Sequence, residues 1–133
     1  IRIIGIGGSS LGTKTIYSFL KDKIKKKVLF FDNLSLENKK IENKKYCNLI
    51  VSKSGNTLET IVNSNIYIQK RDQNIFITEN KRNYLNLLAQ KLKAEVIYHN
   101  NFIGGRYSVL SEVGMLPAEL MGLNSKSFRQ FNS

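Results

Sequence analysis

Apolar residues fall along this chain in short runs that alternate with stretches of helical spacing. Ile1 to Ile6 is an apolar run carrying one Arg, the length of a buried strand. Gly5-Ile6-Gly7-Gly8-Ser9-Ser10 follows as a turn, and Leu11, Ile16, Phe19, Leu20 and Ile24 then share one face of a helix. Val28 to Phe31 predicts a second strand, and Leu49-Ile50-Val51 is the core of a third that ends at Ser52. Between them, residues 35–45 are polar, rich in Lys and Asn, and ambiguous. The spacing then predicts a helix over 57–69 with Leu58, Ile61, Val62 and Ile66 turned inward, and a fourth strand over 75–78. Tyr84, Leu85, Leu88 and Leu92 mark the next helix, and Val96-Ile97-Tyr98 a fifth strand. A glycine-containing loop covers 100–107, and Pro117 suits the first turn of a later helix.

Five short apolar strands alternating with amphipathic helices predict an α/β fold: a doubly wound, mainly parallel five-stranded sheet flanked by helices. Ligands of such sheets sit beyond the carboxyl ends of the strands. The loops 7–12, 52–57 and 100–107 each leave a strand end, which makes them the candidate site.

Length and composition narrow the class. A chain of 133 residues is expected to form one domain around one core. Hydrophobic residues at 41% exclude a disordered tail, and no run approaches the ~18 apolar residues that would span a bilayer. With one cysteine, Cys47, and one histidine, neither an internal disulfide nor a Cys/His zinc site is expected. Ile1 opens into strand-like sequence without a basic lead, so no signal peptide is read and a reducing cytoplasm is the expected compartment. The chain opens inside an apolar run and stops in Phe128-Arg129-Gln130-Phe131, at the start of another element, so it reads as a piece of a longer protein. The net charge of +11 would suit a polyanion, and much of the excess lies between Lys21 and Lys45. Aromatics able to stack on bases are scarce there, and Phe30-Phe31 reads as buried strand, so a solvated basic face is expected rather than a nucleic-acid surface.

The chemistry concentrates in the three loops. Gly7-Gly8-Ser9 lets the backbone approach a ligand, and the helix that follows offers unpaired N–H groups to an anion. The spacing departs from G-x-G-x-x-G, yet Asp32 stands at the second strand end, so a dinucleotide site stays open on this loop alone. Ser52-Lys53-Ser54-Gly55-Asn56-Thr57 gathers hydroxyls, an ammonium and a flexible glycine at a helix start, the donor set a phosphate monoester needs. Asn56 and Glu59 have capping-box spacing, which reads Glu59 as structural. Gly104-Gly105-Arg106 places a guanidinium at a strand end, where it can steady an oxyanion. His99 reads as a structural strand-end histidine.

Three segments together, Gly5-Ile6-Gly7-Gly8-Ser9, Ser52-Lys53-Ser54-Gly55-Asn56-Thr57-Leu58-Glu59-Thr60, and Gly104-Gly105-Arg106-Tyr107-Ser108-Val109-Leu110-Ser111 with Val113-Gly114-Met115-Leu116-Pro117, closely resemble the glucose-6-phosphate isomerase family in order and spacing. The resemblance covers essentially the whole chain and corresponds to the first of that family's two sugar isomerase (SIS) domains. It implies a SIS-like fold with flavodoxin-like strand order, residues 1–133 forming a single phosphosugar-binding domain of a longer two-domain enzyme. Ser52, Lys53, Ser54 and Thr57 would hold the sugar phosphate, Gly55 and Asn56 would shape the loop, and Gly8 and Ser9 would line the sugar side. Arg106 would stabilise the enediolate formed as a proton moves between C1 and C2. The family's glutamate base, ring-opening histidine and further lysine match nothing here; neither His99 nor Glu112 fits those motifs. The implied partners are a phosphorylated hexose, the second SIS domain and a second copy in a homodimer, with no metal, organic cofactor, nucleic acid or membrane. The chain alone is expected to be inactive. The alternative class is a non-catalytic phosphosugar-binding SIS module, from which Arg106 in its glycine setting would distinguish an enzyme.

Overall fold

The computed structural model describes residues 1–34 and 43–130. Five strands form one parallel sheet: β1 (Arg2–Ile4), β2 (Leu29–Phe31), β3 (Cys47–Val51), β4 (Gln73–Thr78) and β5 (Glu95–Tyr98), in the spatial order β2-β1-β3-β4-β5. This is the doubly wound order that the sequence implied. The strands alternate which face they feed, and both faces are buried. Ile3, Leu49, Val51, Ile75 and Ile77 point to one side, where α1 (Gly8–Phe19) and α4 (Glu112–Leu120) cover them through Ile16, Val113, Met115 and Ala118. Ile4, Ile50 and Phe76 point to the other, where Tyr67 of α2 (Leu58–Tyr67) and Leu85 and Ala89 of α3 (Tyr84–Leu92) meet them. The expected ambiguous stretch 35–45 falls mostly outside the described residues, as does Phe131; α5 (Ser125–Arg129) is the element anticipated at the end of the chain.

Three expectations about helices are corrected. The first helix ends at Phe19 and gives way to a 3-10 turn at Lys21–Lys23. Leu11 and Phe19 are exposed, and the buried positions are Ser10, Thr13 and Ile16; Leu20 and Ile24 pack against the core from beyond the helix end. In α2, the aliphatic stripe does not face the sheet. Leu58 and Ile66 are exposed, while Thr60, Asn63, Ser64 and Tyr67 are buried. Specific ties set this rotation: Tyr67 packs its ring on Phe31 at 4.1 Å, its carbonyl accepts the buried Arg2 guanidinium at 2.7 Å, and Asn63 donates to the carbonyl of Asn33 at 3.1 Å. Arg2 itself, read from sequence as a lone interruption, is 2% exposed and pairs with Asp72, with its guanidinium over the ring of Tyr46.

The third correction concerns Pro117, which lies inside α4 rather than in its first turn. A proline there removes the donor for the carbonyl four residues back and crowds that carbonyl. The carbonyl is that of Val113, and it accepts instead from the hydroxyl of Thr13 on α1 at 3.2 Å, a side chain 1% exposed. The same bond ties α1 to α4, the two helices that carry the first and third candidate loops. Replacing Thr13 with Val therefore leaves a buried carbonyl unpaired and is expected to lower unfolding stability by about 1–3 kcal/mol. Pro117→Ala returns the backbone donor, so the Thr13→Val cost shrinks in the Pro117→Ala background; chemical denaturation of the four proteins measures the cycle, and additive effects would refute the exchange of donors.

Candidate functional site

The sheet order places a crevice where α1 leaves β1 to one side and α2 leaves β3 to the other, above the paired strand ends Ile4 and Ile50. The first loop enters α1 through Gly7, at φ 56, and brings Gly8 against the third loop. A Cβ on Gly8 would lie 2.5 Å from the carbonyl carbon of Gly105 and 2.8 Å from its Cα, so the two backbones touch with no room for a methyl group. Gly105 begins a 3-10 segment, Gly105–Leu110, in place of the open loop expected to run to residue 107. Arg106 on that segment is exposed and faces an open cavity of about 450 Å3 lined by Gly7, Gly8, Leu11, Gly105, Arg106 and Val109. Among the described residues, its guanidinium has no hydrogen-bond or ion-pair partner.

The second loop is held by its own hydroxyls. Ser52 is 1% exposed and its Oγ accepts from the amide of Gly55 at 3.1 Å. Ser52 Oγ lies 2.9 Å from Thr57 Oγ1, which lies 3.4 Å from Ser54 Oγ, making a chain of three hydroxyls at the start of α2. Thr57 is the N-cap but makes no side-chain cap bond, so the first-turn amides of α2 have no intrahelical acceptor. The capping box expected from Asn56 and Glu59 does not form. Gly55 turns at φ 68 and its carbonyl accepts from Leu85, which draws Asn56 across to cap α3 by accepting from the Tyr84 amide at 2.9 Å. A side chain on Gly55 would overlap the amide of Asn83.

Lys53 does something the sequence did not disclose. Its ammonium donates to the carbonyls of Asn101 at 2.7 Å and Ile103 at 3.0 Å, with Glu79 at 3.6 Å, so it straps the second loop to the third. Lys81, hydrogen-bonded to Glu79, together with Lys53 holds the Glu79 carboxyl below its usual range. Ser9, Lys53, His99, Gly105 and Ser108 surround one small void, the point where all three loops meet. Thus Gly8 and Arg106 line the open cavity and Ser9 and Lys53 the small void, with Gly105 common to both, whereas Ser54, Asn56 and Thr57 line neither. Asp32, on which a dinucleotide site would rely, is paired with Lys14. The pairing of His99 with Glu112 also escaped the sequence, because the two are contiguous only through the packing of α4 beside β5.

The 2-1-3-4-5 parallel sheet, with a glycine-rich turn, a hydroxyl loop and an exposed cation around its switch point, makes this an α/β fold of the SIS type. Residues 1–132 match the family described as phosphoglucose isomerase, and the chain belongs to that family. Among its relatives, the glucose-6-phosphate isomerase of Mycoplasma genitalium is 36% identical, with 96% of this chain and 33% of that protein covered. The Acholeplasma laidlawii enzyme of the same name is also 36% identical, over 93% of this chain and 34% of its own length. The crystal structure of a hypothetical protein from Thermus thermophilus superposes with a TM-score of 0.83 at 26% identity, covering 95% of this chain and 34% of that one. The chain thus spans about a third of the length of these relatives. Among the described residues, no helix is long and apolar enough to cross a membrane.

The Gly8–Gly105 contact makes a direct prediction. Gly8→Ala forces the two backbones apart and displaces Arg106 while leaving the sheet core intact. The expected result is unchanged far-ultraviolet circular dichroism with amide hydrogen exchange at residues 105–107 raised about tenfold or more. Parent-like exchange in Gly8→Ala would show that the contact does not set the position of Arg106.

Proposed function

We propose that this chain is the first SIS domain of a two-domain glucose-6-phosphate isomerase, which interconverts glucose 6-phosphate and fructose 6-phosphate in the cytoplasm without metal or organic cofactor. One observation carries the reading: the Gly8–Gly105 packing sets a guanidinium without a partner among the described residues, Arg106, over the cavity at α1, one loop away from a hydroxyl cluster at the start of α2. Membership of the phosphoglucose isomerase family supports it.

The division of labour follows from the donors left free. Ser54, Thr57 and the first-turn amides of α2 receive the phosphate, whose charge also suits the helix dipole. Ser52 and Gly55 keep the loop in shape, Asn56 docks it on α3, and Lys53 fixes its distance to the Arg106 loop. Gly8 and Ser9 line the sugar side. Isomerisation removes the C2 proton of the aldose and returns a proton to C1, and negative charge gathers on the enediolate oxygens between the two steps. Arg106 meets that charge with fixed donors. The base belongs to the remainder of the protein, beyond this third of its length. The apolar groups left in the open here, Leu58 and Ile66 on α2 and Leu11, Phe102 and Tyr107 beside the site, suit burial against that remainder and against a second copy.

Two experiments on the full-length protein test this. In a coupled assay of fructose 6-phosphate conversion, Arg106→Ala lowers kcat about 10²-fold or more with a much smaller change in KM, because the interaction belongs to the transition state. Arg106→Lys recovers part of the loss, since the planar fork is absent. An Arg106→Ala enzyme with parent kcat overturns the assignment, and a parent that binds fructose 6-phosphate without turnover is a binding module instead. In calorimetry, Ser54→Ala with Thr57→Ala weakens fructose 6-phosphate binding by about 3–6 kcal/mol, from hydrogen bonds to a charged group worth about 1.5–3 kcal/mol each. Unchanged affinity would place the phosphate elsewhere.

A further inference from the structure

The segment that carries Arg106 has little to hold it from within. Asn100 to Ile103 forms a turn, with the Ile103 amide donating to the Asn100 carbonyl and the Phe102 amide to the Asn100 side chain. The 3-10 segment begins at Gly105, and Phe102 is 98% exposed. Gly104 joins the turn to the 3-10 segment and Gly105 opens it; neither has a side chain to pack, and both have the greatest backbone freedom to lose. Gly105 packs on Gly8, and the two glycine carbonyls accept from Tyr107 and Ser108 of the segment itself; what ties the pair to the sheet is the residue before them, Ile103.

Besides the bond from its amide to Asn100, two side chains grip its carbonyl oxygen. Lys53 donates at 3.0 Å from the second loop, and His99 Nε2 lies at 3.0 Å from the end of β5. His99 is 4% exposed, and its amide donates to the Thr78 carbonyl at 2.9 Å, so its backbone continues the sheet. Its other ring nitrogen, Nδ1, is paired with the carboxylate of Glu112, the first residue of α4. Both nitrogens face oxygens, so Glu112 and Ile103 hold the ring from its two ends. The preceding residue, Ser111, caps α4 by accepting from Val113 and donates to the Ser108 carbonyl at 2.6 Å, which fastens the far end of the 3-10 segment to the same helix.

We propose that His99, oriented by Glu112, is a positioning residue for Arg106: its bond to Ile103 fixes the glycine pair that places the guanidinium, and it does so without touching the substrate. The proposal rests on the isomerase reading of the site. It makes the buried histidine at the junction of the three loops necessary for turnover although it is remote from the sugar. A hydrogen-bonding partner for Nδ1, which a carboxylate or a carboxamide can provide, is what residue 112 must supply.

The test uses the full-length protein, with isomerase kinetics and amide hydrogen exchange as separate readouts. His99→Ala is expected to lower kcat about 10–100-fold with KM within about threefold, because misplacement rather than lost contact is the defect. Exchange at residues 104–107 rises about tenfold or more while the sheet stays protected. Glu112→Ala falls in the same direction, Glu112→Gln stays within about threefold of the parent, and His99→Ala with Glu112→Ala is no worse than His99→Ala alone, the pattern of residues acting as a unit. Parent-like kcat in His99→Ala overturns the proposal, as does unchanged exchange at 104–107. Should His99→Ala fail to fold, the Glu112 pair decides, and equal kcat in Glu112→Ala and Glu112→Gln overturns it. A parent without isomerase activity would sink the functional reading alone, and exchange in His99→Ala would still decide whether the histidine holds the loop.

Discussion

Two glycine backbones in contact, Gly8 at the start of α1 and Gly105 at the start of the 3-10 segment, set the dimensions of everything built above the sheet. The contact joins the loop after the inner strand β1 to the loop after the edge strand β5, which the sheet order keeps apart by β3 and β4. Only residues without a Cβ allow that approach. Once it is made, α1 and α4 are neighbours, Arg106 overhangs the N-terminal turn of α1, and the strap from Lys53 to Ile103 and Asn101 draws in the remaining loop.

Several buried polar groups are paired across elements. Thr13 supplies the donor that Pro117 withholds from Val113. Asp72 accepts from Arg2, the Tyr46 amide at 3.0 Å and Asn48 at 3.0 Å, so the amino end of the sheet carries a satisfied charge where an orphan would cost several kcal/mol. The two ends of the sheet thus use opposite devices: an ion pair at the amino end, and an open guanidinium without a partner among the described residues at the carboxyl end. An unpaired cation beside a cavity is what a ligand-binding end requires, because charge already neutralised by the protein has nothing to offer an anion.

Helix α2 shows how far a site can override an amphipathic pattern. Its aliphatic residues outnumber its aromatic ones, yet Tyr67, Asn63 and Thr60 face inward and Leu58 and Ile66 face out. Its first turn must present free amides beside Ser54 and Thr57, and its last must offer a carbonyl to Arg2. Those end constraints fix the rotation of a ten-residue helix more firmly than two leucine-sized side chains can. The face left outside is apolar, as befits a unit spanning about a third of its relatives' length.

The sequence by itself determined the strand–helix alternation, the parallel sheet and the three loops, because a buried strand needs a continuous apolar run and a strand-to-helix turn needs Gly and hydroxyl residues whatever lies around it. It also determined the family, through motifs whose order survives in the linear text. Only the tertiary structure decided which polar groups find each other. Ser52 spends its hydroxyl on Gly55, Asn56 turns to α3, Lys53 to Ile103, Asp32 to Lys14 and His99 to Glu112. Each is a choice among several donors and acceptors of similar strength, so local pattern carries no preference. The choice is made by distance, and distance across the crevice exists only after Gly8 and Gly105 have met.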